Sequence, residues 1–340
     1  MRQVLVTGGA GVIGSNFIRY LLTTHKDISI VNLDCLTYAG NPANLRDCEG
    51  DSRYQFVLGR VEDRALLDGL FRQYQFDTVV HFAAESHVDR SIAEPGVFLT
   101  TNVIGTQALL DAAKTHWKQE PEDAYSDLYR AGVKFLQVST DEVYGALGPE
   151  GLFSESTPLA PNSPYSASKA AADLVALAYY RTYKLPVNIT RCSNNYGPYQ
   201  YPEKLIPLMI SNALSDKPLP VYGDGLQIRD WLHVHDHCTA IELVVERGRP
   251  GEVYNIGGRS ERKNIEIVKL ILQELNKPES LITYVRDRLG HDWRYAIDPA
   301  KIMTELGWNP TYSFETGIRE TIRWYASHPE WLRAGEEQRL

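Results

Sequence analysis

Short apolar runs recur through the first half of this chain and separate longer segments with helical character. In chain order they are "QVLVTG", "ISIVNLD", "YQFVLG", "DTVVHFAA", "KFLQVST" and "LPVNITR". The runs are rich in Val and Ile and show little apolar–polar alternation, which is typical of strands buried on both faces of a sheet. Strands that alternate with helices form parallel sheets through βαβ units. The sequence therefore predicts an α/β fold built on a doubly wound parallel sheet.

The character of the sequence changes after about residue 190. The segments "NNYGPYQYPEKLIP" and "GDGLQIRDW" carry Pro, Gly, Tyr and charged residues without a regular period. We predict a first domain over residues 1–190 and a smaller substrate-binding domain over residues 191–340, and some later segments can return to the first domain.

Composition argues against several classes of function. The formal net charge is -8 and no block of Lys and Arg is present, which disfavours nucleic-acid binding. No apolar run reaches membrane-spanning length, and the first residues enter a strand directly instead of forming a signal peptide. The four cysteines are far apart and fit neither a disulfide framework nor a metal site. The expected location is a reducing cytoplasm.

A glycine-rich turn follows the first apolar run. The segment "VLVTGGAGVIGSNF" places Gly8, Gly11 and Gly14 between a predicted strand and a predicted helix. Glycine lets the backbone approach a pyrophosphate closely, and the helix N-terminus offers unpaired N–H groups to the anion. Asp34 ends the second predicted strand, where an acid can bind the adenosine ribose, and Cys35 rather than an arginine follows it. We therefore predict a Rossmann domain that binds NAD in preference to NADP; the alternative is a glycine-rich turn without a ligand.

A Tyr–Lys pair lies in the segment "NSPYSASKAAADLVALAYYRTYK", which predicts a helix with Ser163 as its N-cap. Tyr165 and Lys169 are four residues apart, so both side chains lie on one helical face. Beside a cationic lysine and a nicotinamide cation, a phenol loses its proton more readily and can act as a base toward a sugar hydroxyl. Thr140 can hold that hydroxyl from the opposite side. The alternative is a surface Tyr and Lys on an ordinary helix.

With "TGGAGVIG" and "YSASK" as signature motifs, the chain resembles the extended short-chain dehydrogenase/reductase family, and within it the nucleotide-sugar 4,6-dehydratases. The resemblance runs nearly end to end and also rests on "LDCLTYAGN", "HFAAESHVDRSI", "VSTDEVYG", "RCSNNYGPYQYPEKLIP", "DGLQIRDWLHV", "YNIGG" and "DRLGHDWRYAID". It implies an NAD-dependent hydro-lyase, a homodimer, that converts dTDP-glucose to dTDP-4-keto-6-deoxyglucose. The alternatives are a UDP-sugar 4,6-dehydratase, a UDP-sugar 4-epimerase and a non-catalytic NAD-binding scaffold.

Two adjacent carboxylates separate the dehydratase from the epimerase. Hydride transfer at C4 needs only the hydroxyl, the phenol, the lysine and NAD. Removal of water across C5 and C6 needs one further group to take the C5 proton and another to protonate the departing oxygen. The resemblance implies Glu142 as that base and Asp141 as that acid, since two neighbouring carboxyls in a dry pocket do not ionise together. For both to reach one hexose, the strand before them should end near Ser139.

The motifs and the resemblance together imply a set of site residues. The catalytic residues are Thr140, Asp141, Glu142, Tyr165 and Lys169. The further NAD contacts are Gly8, Gly11, Val12, Ile13, Gly14, Asp34, Leu36, Thr37, Arg60, Val61, Ala83, Ala84, Ser86, Thr101 and Asn194, beside Tyr165 and Lys169. The substrate contacts are Ser86, Thr140, Asn195, Lys204, Leu205, Pro220, Tyr222, Arg229, Asn264, Arg288 and His291.

The three arginines of this set have two expected roles. Arg229 and Arg288 suit the phosphates, because a guanidinium fork matches phosphate oxygens. Arg60 departs from the family pattern, which usually has an aspartate at the adenine, and an arginine can lie over the base instead.

Two further features carry expectations. "HVHDH" places His233, His235 and His237 in a row without a fourth ligand in register, so we predict no metal site. The helix that carries Tyr165 is apolar on more than one side, which fits burial against a partner subunit.

Overall fold

The computed structural model of the chain describes residues 1–287 and 289–333. Its strands, in chain order, are β1 (Gln3–Thr7), β2 (Ser29–Asp34), β3 (Tyr54–Leu58), β4 (Thr78–His81), β5 (Lys134–Thr140), β6 (Val187–Cys192), β7 (Asn194–Tyr196), β8 (Leu219–Tyr222), β9 (Ile228–His233), β10 (Val253–Ile256), β11 (Glu261–Lys263) and β12 (Ile282–Val285).

The α-helices are α1 (Val12–Thr24), α2 (Arg64–Tyr74), α3 (Val88–Ala93), α4 (Pro95–Phe98), α5 (Thr106–Trp117), α6 (Pro164–Tyr183), α7 (Leu205–Leu214), α8 (Val234–Arg247), α9 (Asn264–Glu274), α10 (Ala300–Leu306), α11 (Phe314–Ser327) and α12 (Glu330–Arg333). A π-helical segment, Leu99–Gly105, precedes α5, and short 3-10 helices cover Pro42–Cys48, Asp141–Tyr144 and Glu279–Leu281. Within the described residues, no helix combines the length and the apolarity that crossing a membrane requires.

One large sheet dominates the described part of the chain. Seven strands lie in the order β10-β6-β5-β4-β1-β2-β3, and all neighbours are parallel. From β1, the chain adds β2 and then β3 on one side of the sheet. It then crosses to the other side of β1 and adds β4, β5, β6 and β10, so the strand order reverses between β1 and β4. Ligands of doubly wound sheets bind at such a reversal, beyond the carboxyl ends of the strands. The predicted α/β fold with a doubly wound parallel sheet is confirmed.

Helices cover both faces of this sheet. In β1, Val4 and Val6 pack on one face in a core with Phe17 of α1, while Leu5 packs on the other face in a core with Leu109 of α5. Alternate side chains of a strand point to opposite faces, so a strand covered on both sides must be apolar at every position. This explains why the apolar runs of the sequence lack alternation.

A smaller region follows β6. It contains the sheet β11-β9-β7, the strand pair β12-β8 and a third apolar core in which Met209, Ile267 and Ile318 from α7, α9 and α11 are buried. Between these elements the chain returns to the large sheet, where β10 pairs with β6. The predicted domains, residues 1–190 and 191–340, include the possibility that later segments such as β10 return to the first domain.

A buried ion pair fixes α6 against the large sheet. The Arg191 Nε donates to the Asp173 Oδ2 at 2.8 Å, and its Nη1 donates to the Tyr144 hydroxyl at 2.9 Å. The Arg191 and Asp173 side chains are only 3% and 0% exposed. Two charges that are buried together satisfy each other, but either one alone would be left unpaired away from water.

We predict that Arg191→Met lowers the free energy of unfolding by about 3–5 kcal/mol, because it leaves the Asp173 carboxylate buried without its partner. Urea unfolding followed by circular dichroism measures the loss. Arg249→Met is the control, since it breaks an exposed pair with Glu305 and should leave the free energy of unfolding unchanged. Equal losses in the two variants would contradict this account.

Candidate active site

The glycine turn after β1 lies in close contact with the backbone around it. Gly8 has a φ of +72°, and its N–H donates to the Leu33 carbonyl at 2.9 Å. A Cβ on Gly8 would lie 2.5 Å from the Ala83 backbone nitrogen, and a Cβ on Gly14 would lie 2.5 Å from the Gly8 carbonyl oxygen. A Cβ on Gly11, the N-cap of α1, would meet only the Gly8 oxygen at 3.4 Å, so space remains before the helix. The first N–H groups of α1, beginning with Val12 and Ile13, are therefore available to an anion.

Asp34 lies at the end of β2 beside this turn and is buried. Its Oδ2 accepts the Ala10 N–H at 2.9 Å, and its Oδ1 accepts the Leu36 N–H at 2.8 Å. Burial raises the pKa of the Asp34 carboxyl, while the backbone N–H groups act in the opposite direction. The carboxylate is thus held in one orientation next to the glycine turn.

A cavity extends from the turn along the edge of the sheet. Among the predicted NAD contacts, its lining includes Gly8, Gly11, Asp34, Thr37, Val61, Ala83, Ala84 and Thr101. Arg60 is not part of the lining; its side chain is 64% exposed, and its Nη1 lies 3.7 Å from the carboxylate of Glu62, a lining residue. A backbone turn with no room for a Cβ, a helix N-terminus and a buried carboxylate in one cavity fit the pyrophosphate and ribose of NAD.

The carboxyl end of β5 carries the predicted acid and base. The strand ends at Thr140, which agrees with the predicted end near Ser139, and Thr140 is paired with Cys192 of β6. A 3-10 turn, Asp141–Tyr144, begins immediately, and the Thr140 hydroxyl accepts the Glu142 N–H at 3.3 Å. Asp141 and Glu142 therefore lie in the turn and do not follow the alternation of the strand.

Asp141 is 2% exposed. Its Oδ1 accepts the Thr140 hydroxyl at 3.3 Å, and its Oδ2 has no hydrogen-bond partner among the described residues. Burial raises the pKa of the Asp141 carboxyl well above its usual range, and the charges of Glu142 and Asp230 raise it further, while Arg229 opposes them. Asp141 therefore keeps its proton more readily than an ordinary aspartate and is suited to act as an acid.

The Tyr–Lys pair lies on α6, which begins one residue after Ser163. Ser163 is the N-cap, as predicted, and its hydroxyl accepts a backbone N–H of the first turn at 3.1 Å. Tyr165 and Lys169 are 8% and 4% exposed. The Lys169 Nζ donates to the Val138 carbonyl at 2.8 Å, which ties the lysine to β5.

The protonation of this pair is governed by burial. Burial raises the pKa of the Tyr165 phenol well above its usual range, Glu142 adds to the effect, and a hydrogen bond with Thr140 opposes it. Burial also lowers the pKa of the Lys169 amine. In the protein alone, desolvation of the phenolate and the negative charge of Glu142 therefore favour the protonated phenol. Easier deprotonation of Tyr165 beside the nicotinamide cation of NAD stays a prediction.

Arg229 lies next to the acid and base. Its guanidinium is 4.4 Å from the centre of the Tyr295 ring and donates to the Asp292 carbonyl at 3.0 Å. The Tyr295 hydroxyl donates to the Asp292 carboxylate. Burial raises the pKa of Tyr295 and the charge of Glu142 adds to it, so Arg229, Tyr295 and Glu142 share one neighbourhood.

A second set of predicted substrate residues lies near the loop after β4. The Lys204 Nζ donates to the Ser86 carbonyl at 3.2 Å, and the Ser86 and Tyr38 hydroxyls are 3.3 Å apart. The Asn195 Oδ1 accepts from the His237 ring at 2.9 Å. These contacts orient Ser86, Lys204 and Asn195.

A third set gathers around the strand pair β12-β8. The rings of Tyr222 and His291 meet edge to face with centroids 6.2 Å apart, and the His291 Nδ1 lies 2.6 Å from the Asp287 Oδ1. The Asp287 Oδ2 accepts from the Gln227 side chain at 3.1 Å, and the Gln227 carbonyl accepts the Asn264 N–H at 3.0 Å. Tyr222, Asn264 and His291 are thus connected through two residues that the sequence did not single out.

The remaining predicted contacts lie at the ends or edges of elements. Asn194 begins β7, Leu205 begins α7, and Pro220 lies in β8 with Tyr222. Arg288 lies outside the described residues.

The three histidines of "HVHDH" have separate partners. His233 stacks on Tyr312 with ring centroids 3.8 Å apart, and His235 meets Tyr20 edge to face at 5.7 Å. His237 is fully buried. Within residues 1–287 and 289–333, no group of three His, Cys, Asp or Glu side chains is arranged to hold a metal ion.

Known proteins are similar to this chain in sequence and in fold. A family model described as GDP-mannose 4,6 dehydratase matches residues 5–321. A dTDP-glucose 4,6-dehydratase from Xanthomonas campestris pv. campestris is 56% identical over 98% of this chain and 95% of its own length. The chain belongs to the dTDP-glucose 4,6-dehydratase family.

Two solved structures of the dTDP-glucose 4,6-dehydratases agree with this assignment. The enzyme from Bacillus anthracis, in complex with NAD, has a TM-score of 0.88 and 51% identity over 97% of this chain and 98% of that one. The enzyme from Streptomyces venezuelae, with NAD and the ligand designated TYD, has a TM-score of 0.89 and 51% identity over the same shares, 97% and 98%.

Three residues of the dehydratase site had no assigned role at the level of sequence. Tyr38, Asp230 and Tyr295 lie inside the motifs "LDCLTYAGN", "QIRDW" and "DRLGHDWRYAID", which carried the family resemblance. Their position in these motifs was the feature of the sequence from which they could have been selected as site residues. Their contacts with Ser86 and Asp292, and the influence of Asp230 on Asp141, emerge only when distant segments come together.

We predict that Asp230→Asn moves the alkaline limb of the kcat–pH profile to lower pH. The negative charge of Asp230 helps to raise the pKa of Asp141, so its removal lowers that pKa, and the acid form is lost at a lower pH as the pH rises. Steady-state rates from neutral to alkaline pH measure the shift.

Asp236→Asn is the matched control for this variant. Asp236 is also a buried carboxylate that accepts backbone N–H groups, from Thr311 at 3.0 Å and Tyr312 at 2.9 Å, but it is not among the charges that act on Asp141. An unchanged alkaline limb in Asp230→Asn, or the same shift in both variants, would refute the assigned influence of Asp230.

Proposed function

We propose that this chain converts dTDP-glucose to dTDP-4-keto-6-deoxyglucose and water with NAD as a cofactor that is regenerated in each cycle. The observation that carries the proposal is the pair Asp141 and Glu142 in the turn directly after Thr140, beside Tyr165 and Lys169. Hydride transfer alone would not need the two carboxyls, whereas elimination of water needs both an acid and a base.

The first step is oxidation at C4 of the hexose. Tyr165 accepts the proton of the C4 hydroxyl, Thr140 hydrogen-bonds that hydroxyl, and Lys169 supplies positive charge behind the phenol. Bound NAD would supply the hydride acceptor for C4, the hydride donor for C6 and a positive charge near the phenol. The resulting C4 ketone acidifies the hydrogen on C5.

The second step is elimination. Glu142 takes the C5 proton, Asp141 gives its proton to the C6 oxygen, and the C6–O bond breaks as water leaves. A hydride then adds to C6, and C5 regains a proton from Glu142. Because C4 remains a ketone, Tyr165 keeps the proton that it took from the C4 hydroxyl, while Asp141 lacks the proton that left with water. Loss of one proton from the phenol and uptake of one by the carboxylate, by exchange with solvent, restores both groups. The difference in burial between the two carboxyls supports this division: Asp141 is fully enclosed and keeps its proton, whereas Glu142 is half-buried.

The nucleotide diphosphate is proposed to bind between the second and third sets of residues. Arg229 and Lys204 supply positive charge, and Asn195, Asn264 and His291 supply hydrogen-bonding groups. The burial of Arg229 beside Tyr295 supports a phosphate contact, because a guanidinium fixed by stacking loses little side-chain entropy on binding.

The experiment that tests the proposal is mass spectrometry of the sugar nucleotide after incubation of the purified chain with NAD and dTDP-glucose. The dehydratase produces a sugar nucleotide lighter by one water. A 4-epimerase produces an isomer of unchanged mass, and a non-catalytic scaffold leaves the sugar as it was. A parallel incubation with UDP-glucose, under the same conditions, tests the proposed preference for dTDP.

We predict that Glu142→Gln still oxidises C4 but eliminates water about 10²–10⁴-fold more slowly, because the glutamine amide cannot take the C5 proton. Reduced cofactor should then accumulate on the enzyme, which stopped-flow absorbance detects. Tyr165→Phe is the contrasting variant, since loss of the phenol should prevent reduced cofactor from forming. Absence of reduced cofactor in Glu142→Gln, with the fold intact by circular dichroism, would show that Glu142 is needed before elimination.

A homodimer is proposed as the functional assembly. The observation that supports it is a set of apolar side chains left exposed on the π-helical segment and on α6, which pack against each other: Leu99, Ile104 and Leu174 are 53%, 54% and 56% exposed. Sedimentation equilibrium should give twice the mass of the chain. The four cysteines are free thiols in the structure, which supports a proposed location in the reducing cytoplasm.

A further inference from the structure

Four aromatic residues near the C-terminal end of the described chain form one cluster. Tyr199, Trp324, His328 and Trp331 constitute what we call the C-terminal aromatic cluster. Trp324 lies at the centre, with ring centroids 4.7 Å from Tyr199, 4.7 Å from His328 and 5.5 Å from Trp331. Tyr199 and Trp331 also meet at 5.6 Å.

One member of the cluster reaches the cofactor turn through a chain of hydrogen bonds. The Trp331 Nε1 donates to the Asn44 Oδ1 at 2.7 Å, and the Asn44 Nδ2 donates to the Ala10 carbonyl at 2.9 Å. The Ala10 N–H then donates to the Asp34 Oδ2 at 2.9 Å. Three bonds thus connect a residue on α12 to the carboxylate that is placed to hold the adenosine ribose.

Asn44 is the connecting residue of this chain and is 2% exposed. It lies on the 3-10 helix Pro42–Cys48, behind the glycine turn. Both ends of its amide are used, the oxygen by Trp331 and the nitrogen by Ala10. A buried amide oxygen that loses its hydrogen-bond partner is destabilised, because it is removed from water without compensation. The Asn44 side chain would then turn or shift, and its hydrogen bond to Ala10 would be lost.

The same cluster also holds the loop that leads to the substrate residues. Tyr199 has a φ of +69°, a left-handed conformation that is unfavourable for a residue with a side chain. Its ring is held between Trp324 and the Arg19 guanidinium, which lies 4.1 Å from the ring centre. The adjacent Gln200 donates from its side chain to the Asn195 carbonyl at 3.1 Å. The cluster is therefore linked to the cofactor side of the site through Asn44 and to the substrate side through Gln200.

We propose that Trp331 is a positioning residue for NAD, which holds Ala10 and Asp34 in place through Asn44 and so slows the release of the cofactor. The inference rests on the proposed function, in which a reduced cofactor that left before its hydride returned to C6 would abort the cycle. Trp331 itself touches neither the cofactor cavity nor the reacting groups, and acts through the amide of Asn44.

The test is the rate at which radiolabelled NAD dissociates from the purified full-length chain, measured by dilution into unlabelled NAD. Trp331→Phe keeps an aromatic ring in the cluster but removes the donor to Asn44, and we expect dissociation about tenfold faster. Trp324→Phe is the matched control, because it removes an indole from the same cluster without a bond to Asn44, and we expect a change of about twofold or less. Equal dissociation rates in the two variants would overturn the proposal.

A double-mutant cycle separates positioning from general destabilisation. Asn44→Ala removes the connecting amide, and it should speed NAD dissociation as well. If Trp331 acts through Asn44, adding Trp331→Phe to Asn44→Ala causes no further acceleration. If the two changes multiply, Trp331 acts by another route and the proposal is wrong.

The same measurement distinguishes this proposal from the proposed function. Failure of the unsubstituted chain to bind NAD would overturn both. A chain that binds NAD and dehydrates dTDP-glucose, but whose Trp331→Phe variant retains NAD normally, would overturn the role of Trp331 alone.

Discussion

The parallel pairing of β1, β4 and β5 places the glycine turn and the acid–base turn at one edge of one sheet, where Tyr165 and Lys169 of α6 meet them. Because the strands run in the same direction, Thr7, His81 and Thr140 mark neighbouring carboxyl ends. The glycine turn, the Ala83 segment that it contacts and the acid–base turn follow directly. The reversal of strand order between β1 and β4 opens the crevice in which they meet. Without that register, the same residues would lie on separate faces of the molecule.

Burial sets the chemistry of these groups. The pKa values of Asp141 and Tyr165 are raised, and that of Lys169 is lowered, in each case chiefly by removal from water. Asp141 therefore holds a proton that it can give away. Tyr165 can serve as a base only when the positive charge that bound NAD would supply offsets the effect of burial on its phenol. The buried Arg191–Asp173 pair holds α6, the helix that carries Tyr165 and Lys169, against the sheet.

Local features of the site could be predicted from the sequence, and non-local ones could not. The glycine turn, the N-cap Ser163 and the Tyr165–Lys169 spacing are defined within a few residues, so their geometry follows from helix and turn rules. The exact last residue of β5 depends on the pairing of Thr140 with Cys192, a tertiary contact, so the sequence predicted the end of this strand only approximately. The pKa of Tyr165 depends on burial and on the charge of Glu142. Neither can be predicted from the four-residue spacing of Tyr165 and Lys169. Trp331 and Asn44 are 287 positions apart, and no periodicity connects them.

The central claim is that a single site oxidises, eliminates and reduces one sugar without releasing the cofactor. The most direct measurement uses an equal mixture of unlabelled dTDP-glucose and dTDP-glucose that carries deuterium at C4 and a heavy isotope elsewhere in the hexose. Mass spectrometry should find deuterium at C6 only in product molecules that also carry the second label. Deuterium in product molecules that lack the second label, or loss of deuterium to solvent, would mean that the hydride leaves the site between the steps. Either result would contradict this account.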